Sequence, residues 1–238
     1  MRIIGDSHIG MVRKENQDAF LIDQFNSECG VGFVCDGMGG AKGGSFASMI
    51  AIQTLQEVIK GDSALKEPKN TLLSAAEECN RRVYDEAENN PACKGMGTTL
   101  VAAIVNHKFV DIINVGDSRA YHISNGYVSQ ITKDHSAVQE LVDMGHLTES
   151  QAKTHPNKNI ITRAIGIEKT VDIDHFRFEA EKGDIIILCS DGLSNFVDDS
   201  EIQFEVSGGS FDDLAKRLID LANSRGGADN ITVVAIEI

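Results

Sequence analysis

Five aspartates stand where strand-like apolar runs meet small residues, and their placement carries the chemistry of this 238-residue sequence. Asp36 ends the run 31–35 and opens Asp36-Gly37-Met38-Gly39-Gly40. Asp191 follows the run 184–189 in Ser190-Asp191-Gly192, and Asp117 follows 109–115 in Gly116-Asp117-Ser118. Asp229 precedes the final run, 231–236, and Asp18 precedes an early one, 19–22. A single Asp-Gly ordinarily marks a turn. As a set, carboxylates without a matching His or Cys group select a hard, oxygen-preferring ion, Mg²⁺ or Mn²⁺, over zinc. Without a cation such a cluster repels itself. Two ions bridged by one Asp could hold a hydroxide and polarise a phosphoryl oxygen, the arrangement of hydrolytic two-metal sites. Arg13, five residues before Asp18, could then grip a phosphate through its guanidinium fork.

The glycine loop after Asp36 is not a nucleotide cradle. A Walker A motif needs Lys after its second glycine, but Gly44 is followed by Ser45; the G-x-G-x-x-G fingerprint fails at Lys42. Composition excludes further classes. Asp and Glu total 36 against 22 Lys and Arg, a formal charge of −14, which repels the phosphates of nucleic acid. The longest apolar run, 100–105, is far short of the roughly 20 residues that span a bilayer. The sequence also opens without the apolar core of a secretory signal, so the expected compartment is the cytoplasm, with no membrane partner. Five cysteines, Cys29, Cys35, Cys79, Cys93 and Cys189, show no C-x-x-C spacing and read as reduced core thiols.

The elements that must position the aspartates are mostly strands. Runs 19–22, 31–35, 99–105, 109–115, 119–123, 184–189 and 231–236 are rich in Val, Ile and Phe, and short turns such as Asn125-Gly126 predict antiparallel hairpins. Helical period places Ala47, Ala51, Leu55, Val58 and Ile59 on one face, and Leu72, Ala76, Cys79 and Val83 on another behind Asn70 as a cap. A third helix carries Leu214, Leu218 and Leu221, with Ser210 as cap and Gly226-Gly227 as stop. This order is α+β, with sheets covered by helices, and a single domain spans 1–238. The stretch 137–158 reads as a short helical excursion between strand regions.

The sequence resembles the metal-dependent protein phosphatases, the type 2C serine/threonine phosphatases, in their compact bacterial form. The matching motifs are Gly10-x-x-Arg13-x-x-Asn16-Gln17-Asp18, Val34-Cys35-Asp36-Gly37-Met38-Gly39-Gly40, Gly95-Met96-Gly97-Thr98-Thr99 and Val115-Gly116-Asp117-Ser118-Arg119-Ala120-Tyr121. They continue with Thr132-Lys133-Asp134-His135-Ser136, Thr162-Arg163-Ala164-Ile165-Gly166, Ser190-Asp191-Gly192-Leu193 and Ala228-Asp229-Asn230-Ile231-Thr232. They occur in family order over essentially the whole chain.

The resemblance implies a β-sandwich of two antiparallel sheets flanked by helices on both sides, a four-layer α-β-β-α, with 137–158 as a flap beside the active site. It implies that Asp36 bridges two Mn²⁺ or Mg²⁺ ions, that the Gly37 carbonyl binds one and that Asp191 and Asp229 bind the other. Asp18 would hold metal-bound water, and Asp117, with Asp191, a third and weaker ion. Arg13 would grip the phosphate. The implied activity is hydrolysis of phosphoserine and phosphothreonine in proteins by a metal-bound hydroxide. The implied partners are phosphoprotein substrates and an opposing serine/threonine kinase, with the chain a monomer. Where some relatives carry a histidine, this chain has Met38 and Ala41-Lys42, so a metal-bound water is the expected proton donor and His135 the alternative. The competing reading is a catalytically silent module that captures phosphoproteins.

Overall fold

Strands whose apolar residues point to both faces need cover on both sides, and here each main sheet lies between a helical layer and the other sheet. The computed structural model describes residues 1–60 and 65–238; the side chains of residues 40–42, where Ala41 and Lys42 fall, lie outside that description. In chain order, β1 (Arg2–His8), β2 (Asp18–Gln24) and β3 (Cys29–Met38) precede helices α1 (Gly40–Val58) and α2 (Pro68–Asn89). Then come β4 (Gly97–Thr98), β5 (Leu100–Asn106), β6 (Phe109–Val115), β7 (Arg119–Ser124) and β8 (Tyr127–Gln130). Two short helices, α3 (Ala137–Asp143) and α4 (Glu149–Lys153), lead to β9 (Asp174–Glu179) and β10 (Ile185–Cys189). The chain closes with α5 (Asp191–Ser194), α6 (Asp199–Gly208), α7 (Leu214–Ser224) and β11 (Ile231–Glu237).

One sheet has the order β1-β11-β10-β7-β8 and the other β2-β3-β5-β6-β9, with β4 added beside β3. Every described strand pair is antiparallel. Alternation divides the side chains between layers. Val34, Val101 and Ile112 of the second sheet meet Leu188, Val234 and Ile236 of the first in the central core. Their chain neighbours Phe33 and Ile113 point outward to Leu55, Leu72 and Val83 of α1 and α2. On the opposite side, Ile187, Val233 and Ala235 pack against Ile202 of α6 and Leu214, Leu218 and Ile219 of α7. Each fully buried Leu or Ile contributes about 1.5–3 kcal/mol, so these three cores hold the strand ends rigidly.

The structure differs from the sequence expectation in places. β1, β8, β9 and α6 were not among the expected runs; β9, Asp174–Glu179, alternates charged with aromatic residues as a sheet edge, and its polar content hides it. Asn70 is not a cap. Helix α2 starts two residues earlier at Pro68, whose fixed φ suits a first turn, and Asn70 Nδ2 donates to Glu67 Oε2 at 2.8 Å. Ser210 does cap, but it caps the 3₁₀ turn Phe211–Asp213 that feeds α7. Gly226 and Gly227, both with positive φ, follow the end of α7. The excursion 137–158 contains α3, capped by Ser136, and α4, opened by a Thr148/Gln151 capping box.

Candidate active site

Both sheets present their aspartates at the same end of the sandwich. Asp18 and Asp36 are register partners across β2 and β3. Asp191 opens α5 directly after β10, and Asp229 lies just before β11, the neighbour of β10. Asp117 sits in the loop that carries the chain from β6 in one sheet to β7 in the other. Arg13, Asp36, Gly37, Asp117, Asp191 and Asp229 line one cleft of about 530 Å³. A second hollow of about 420 Å³ shares Asp117 and Asp191 and is walled by Val138, Val142 and Lys158 of the excursion, which therefore borders the carboxylates.

Backbone hydrogen bonds fix the aspartates before any ligand arrives. The Asp36 N–H donates to Thr99 Oγ1 at 2.9 Å, and its carbonyl accepts from Thr98 Oγ1 at 2.9 Å and from the Thr99 N–H at 2.8 Å. Thr99 is tied at 2.7 Å to Ser118, the neighbour of Asp117. A methyl group on Gly37 would overlap the Gly44 carbonyl, and one on Gly192 would overlap that of Asn230. Close backbone approach thus demands glycine beside Asp36 and beside Asp191. Asn230, 4% exposed, donates to the carbonyls of Ile9 and Glu15 at 2.9 and 3.0 Å and accepts from the Gln17 N–H at 2.8 Å. It thereby fastens the loop bearing Arg13 to the loop bearing Asp229.

Burial and mutual repulsion dominate the electrostatics. Burial pushes Asp117 up to about 8, with Asp191 adding to the rise, and pushes Asp191 up to about 6, with Asp229 adding. Burial likewise raises Asp18 to about 7, although the Ser190 and Thr232 hydroxyls pull it down. Asp36 stands well above the ordinary carboxylate range, through burial and the charge of Asp18. A divalent cation among these groups removes the repulsion and lets them ionise together. Two oxygens fit that role: Asp18 Oδ1 and Asp191 Oδ1 are buried with no hydrogen-bond partner. Their sister oxygens are engaged, Asp18 Oδ2 by Ser190 and Thr232 and Asp191 Oδ2 by Asn195. Among the described residues no three His, Cys, Asp or Glu side chains form a ready cage for one ion.

Arg13 stands half exposed at the rim and contacts Asp229 Oδ2 at 2.6 Å. No histidine lines the cleft among the described residues. His135 is buried elsewhere: its Nδ1 accepts from the Gly116 N–H at 3.0 Å, so Nε2 carries the proton and faces Asp174 at 3.1 Å. Burial, with the nearby Arg163, lowers its pKa, so it braces the Asp117 loop as a neutral ring. Sequence reasoning gave no role to Ser190, Thr232, Asn230, Thr99 or Asn195. Adjacency to an aspartate was the available signal for Ser190 and Asn230; the partners of Ser190, Thr232, Asn230 and Thr99 lie far away in the chain, whereas Asn195 meets Asp191 four residues earlier.

Four layers with an acidic cleft where the two sheets end define the class: an α-β-β-α sandwich that gathers carboxylates at one edge. The family described as protein phosphatase 2C matches residues 4–232. The serine/threonine phosphatase stp of Listeria innocua is 39% identical over 232 residues, covering 96% of this chain and 92% of the relative. The S. agalactiae serine/threonine phosphatase structure superposes with a TM-score of 0.92 at 35% identity, covering 100% of this chain and 99% of the other. The catalytic domain of the serine threonine protein phosphatase PstP, solved in complex with two manganese ions, gives 0.86 at 34% identity, with coverage of 99% and 97%. This chain belongs to the protein phosphatase 2C family and is a protein phosphatase. Among the described residues no helix is long and apolar enough to cross a membrane.

Proposed function

We propose that this chain removes phosphate from phosphoserine and phosphothreonine in proteins, with Mn²⁺ or Mg²⁺ bound at the sheet-end cleft. The observation that carries the metal requirement is the pair of buried, unpartnered oxygens, Asp18 Oδ1 and Asp191 Oδ1. Support for the reaction comes from the relatives, which are named serine/threonine phosphatases. Asp36, Asp191, Asp229 and the Gly37 carbonyl would hold the ions. Asp18 positions water, and Asp117 with Asp191 offers a weaker third place. When bound, the ions supply Lewis acidity toward the phosphoryl oxygens and make water nucleophilic at neutral pH.

The chain's own groups do the rest. Arg13 sits at the cleft mouth, where it pairs with Asp229 and its fork can take two phosphate oxygens. Among the described residues no histidine lines the cleft, and in this reading water in the site would supply the proton for the leaving serine or threonine oxygen. The excursion 137–158 serves as the flap beside bound phosphoprotein. A single catalytic unit, monomeric in the cytoplasm and opposed to a serine/threonine kinase, completes the proposal. Every position assigned to metal carries its oxygen ligand, which disfavours the silent module.

Chelation is the direct test. Excess EDTA reduces hydrolysis of a phosphothreonine peptide to background, and added Mn²⁺ restores it; full turnover in chelator would sink the proposal. Arg13→Ala is expected to lower kcat/KM by about 10–100-fold, the value of a charge-assisted hydrogen bond to phosphate. Steady-state kinetics at saturating Mn²⁺ measure this, and an unchanged kcat/KM would remove Arg13 from the phosphate site.

A further inference from the structure

Beneath the cleft a chain of hydroxyls crosses from one sheet to the other. Asp18 belongs to β2 of the second sheet, whereas the side chains that hold its carboxylate come from β11 and the end of β10 in the first. Ser190 Oγ donates to Asp18 Oδ2 at 2.7 Å, and Thr232 Oγ1 donates to the same oxygen at 2.7 Å. Ser190 and Thr232 are both fully buried.

The direction of each hydroxyl follows from its neighbours. Asn16 Oδ1 accepts from the Asp18 N–H at 3.2 Å, which orients the amide, so Asn16 Nδ2 donates to Ser7 Oγ at 2.8 Å. Thr232 has one O–H and directs it to Asp18, so Ser7 donates to Thr232 Oγ1 at 2.8 Å across the β1–β11 register pair. Ser190 Oγ accepts from the Thr232 N–H at 3.0 Å. Both donors to Asp18 are therefore themselves held, and they converge on Oδ2. None reaches Oδ1, the buried oxygen without a partner. A carboxylate oxygen held by a single donor would leave the group free to swivel; one oxygen locked by two fixed donors leaves a single orientation for the other.

We propose that Ser7, Ser190 and Thr232 are positioning residues that lock Asp18 with Oδ1 presented to the divalent-cation site, and that this scaffold sets the Mn²⁺ affinity of the site. The inference rests on reading Asp18 as part of that site. It assigns work to three hydroxyls that act through Asp18, in the manner of outer groups that orient metal ligands.

Calorimetric titration of the metal-free chain with Mn²⁺ tests it, with circular dichroism reporting the fold of each variant. Thr232→Val, which keeps the shape and removes the donor, is expected to weaken Mn²⁺ binding about 10–100-fold. Thr232→Ser, which restores the donor, is expected to bind within a fewfold of the unaltered chain. Ser7→Ala, one hydroxyl further out, is expected to weaken binding by about 2–10-fold. If Thr232→Val does not fold, Ser7→Ala and Ser190→Ala decide the matter. Folded variants that bind Mn²⁺ as tightly as the unaltered chain overturn the scaffold while leaving the proposed function intact. No saturable Mn²⁺ binding by the unaltered chain overturns the metal site and the scaffold together.

Discussion

Asp36→Asn is expected to lower hydrolysis of a phosphothreonine peptide by more than about 100-fold while making the metal-free protein more heat-stable. The first half follows from the proposed metal-binding role of Asp36, which faces the charges of Asp18, Asp191, Asp117 and Asp229; losing a direct ligand would cost more than losing an outer group that orients one, about 10–100-fold. The second half follows from burial and the charge of Asp18, which hold the Asp36 pKa well above its unfolded value. A carboxyl raised in this way contributes nothing adverse below its unfolded pKa near 4 and costs stability progressively as pH climbs toward its folded value. Asparagine removes that cost, so at pH 8 in EDTA the variant is expected to melt about 2–4 °C higher, the equivalent of about 1 kcal/mol. At pH 5 the gap is expected to narrow. Calorimetric melts at the two pH values, with a kinetic assay in Mn²⁺, check both halves. Equal melting points across the pH range would show that repulsion at Asp36 does not limit the metal-free fold.

Asn230→Ala is expected to cost about 3 kcal/mol of stability and to disable the enzyme together with it. The side chain satisfies the Gln17 N–H and the carbonyls of Ile9 and Glu15 from a buried position. Truncation strands three backbone groups, and a stranded buried group costs about 1–3 kcal/mol. At the lower end of that range the three groups together cost about 3 kcal/mol, which shifts the melting temperature down by about 6–12 °C. Activity falls further than stability accounts for, because the loop from Ile9 to Gln17 carries Arg13. Asn230→Asp is expected to be no better, since it keeps the acceptor for Gln17 and replaces the amide nitrogen that donates to Ile9 and Glu15 with an oxygen that repels both carbonyls. A variant that melts within 2 °C of the unaltered chain would mean that the loop has other anchors.

Particular elements show where sequence reading succeeds. The strand at Val31 and Phe33 was legible because its apolar residues are contiguous, as burial on both faces requires. Helix α6 was not, although Asp198 and Glu201 form a capping box at its start. Its interior has a single buried residue, Ile202, and no apolar stripe to reveal it. β9 was hidden because an edge strand tolerates charge, and His175 and Arg177, alternating with Phe176 and Phe178, leave no contiguous apolar run. The cap at Asn70 was misplaced because a local preference for Asn competed with Pro68 two residues earlier, and proline's fixed backbone prevailed.

The five candidate aspartates could be singled out in the sequence because residue type and strand-end position are local properties: a carboxylate beside an apolar run is visible without a fold. Which oxygen of each carboxylate stays free was decided by tertiary structure alone. Asp18 meets Ser190 and Thr232 across separations of 172 and 214 residues, and no window of sequence contains such a pair. The stacking of two sheets brings them together, and burial between those sheets raises the pKa values of the carboxylates. The sequence by itself determined which carboxylates stand beside apolar runs and most of the strands that carry them. Only the folded chain decided how tightly each aspartate is held and where its unpartnered oxygen is left, because those depend on contacts formed when the layers close.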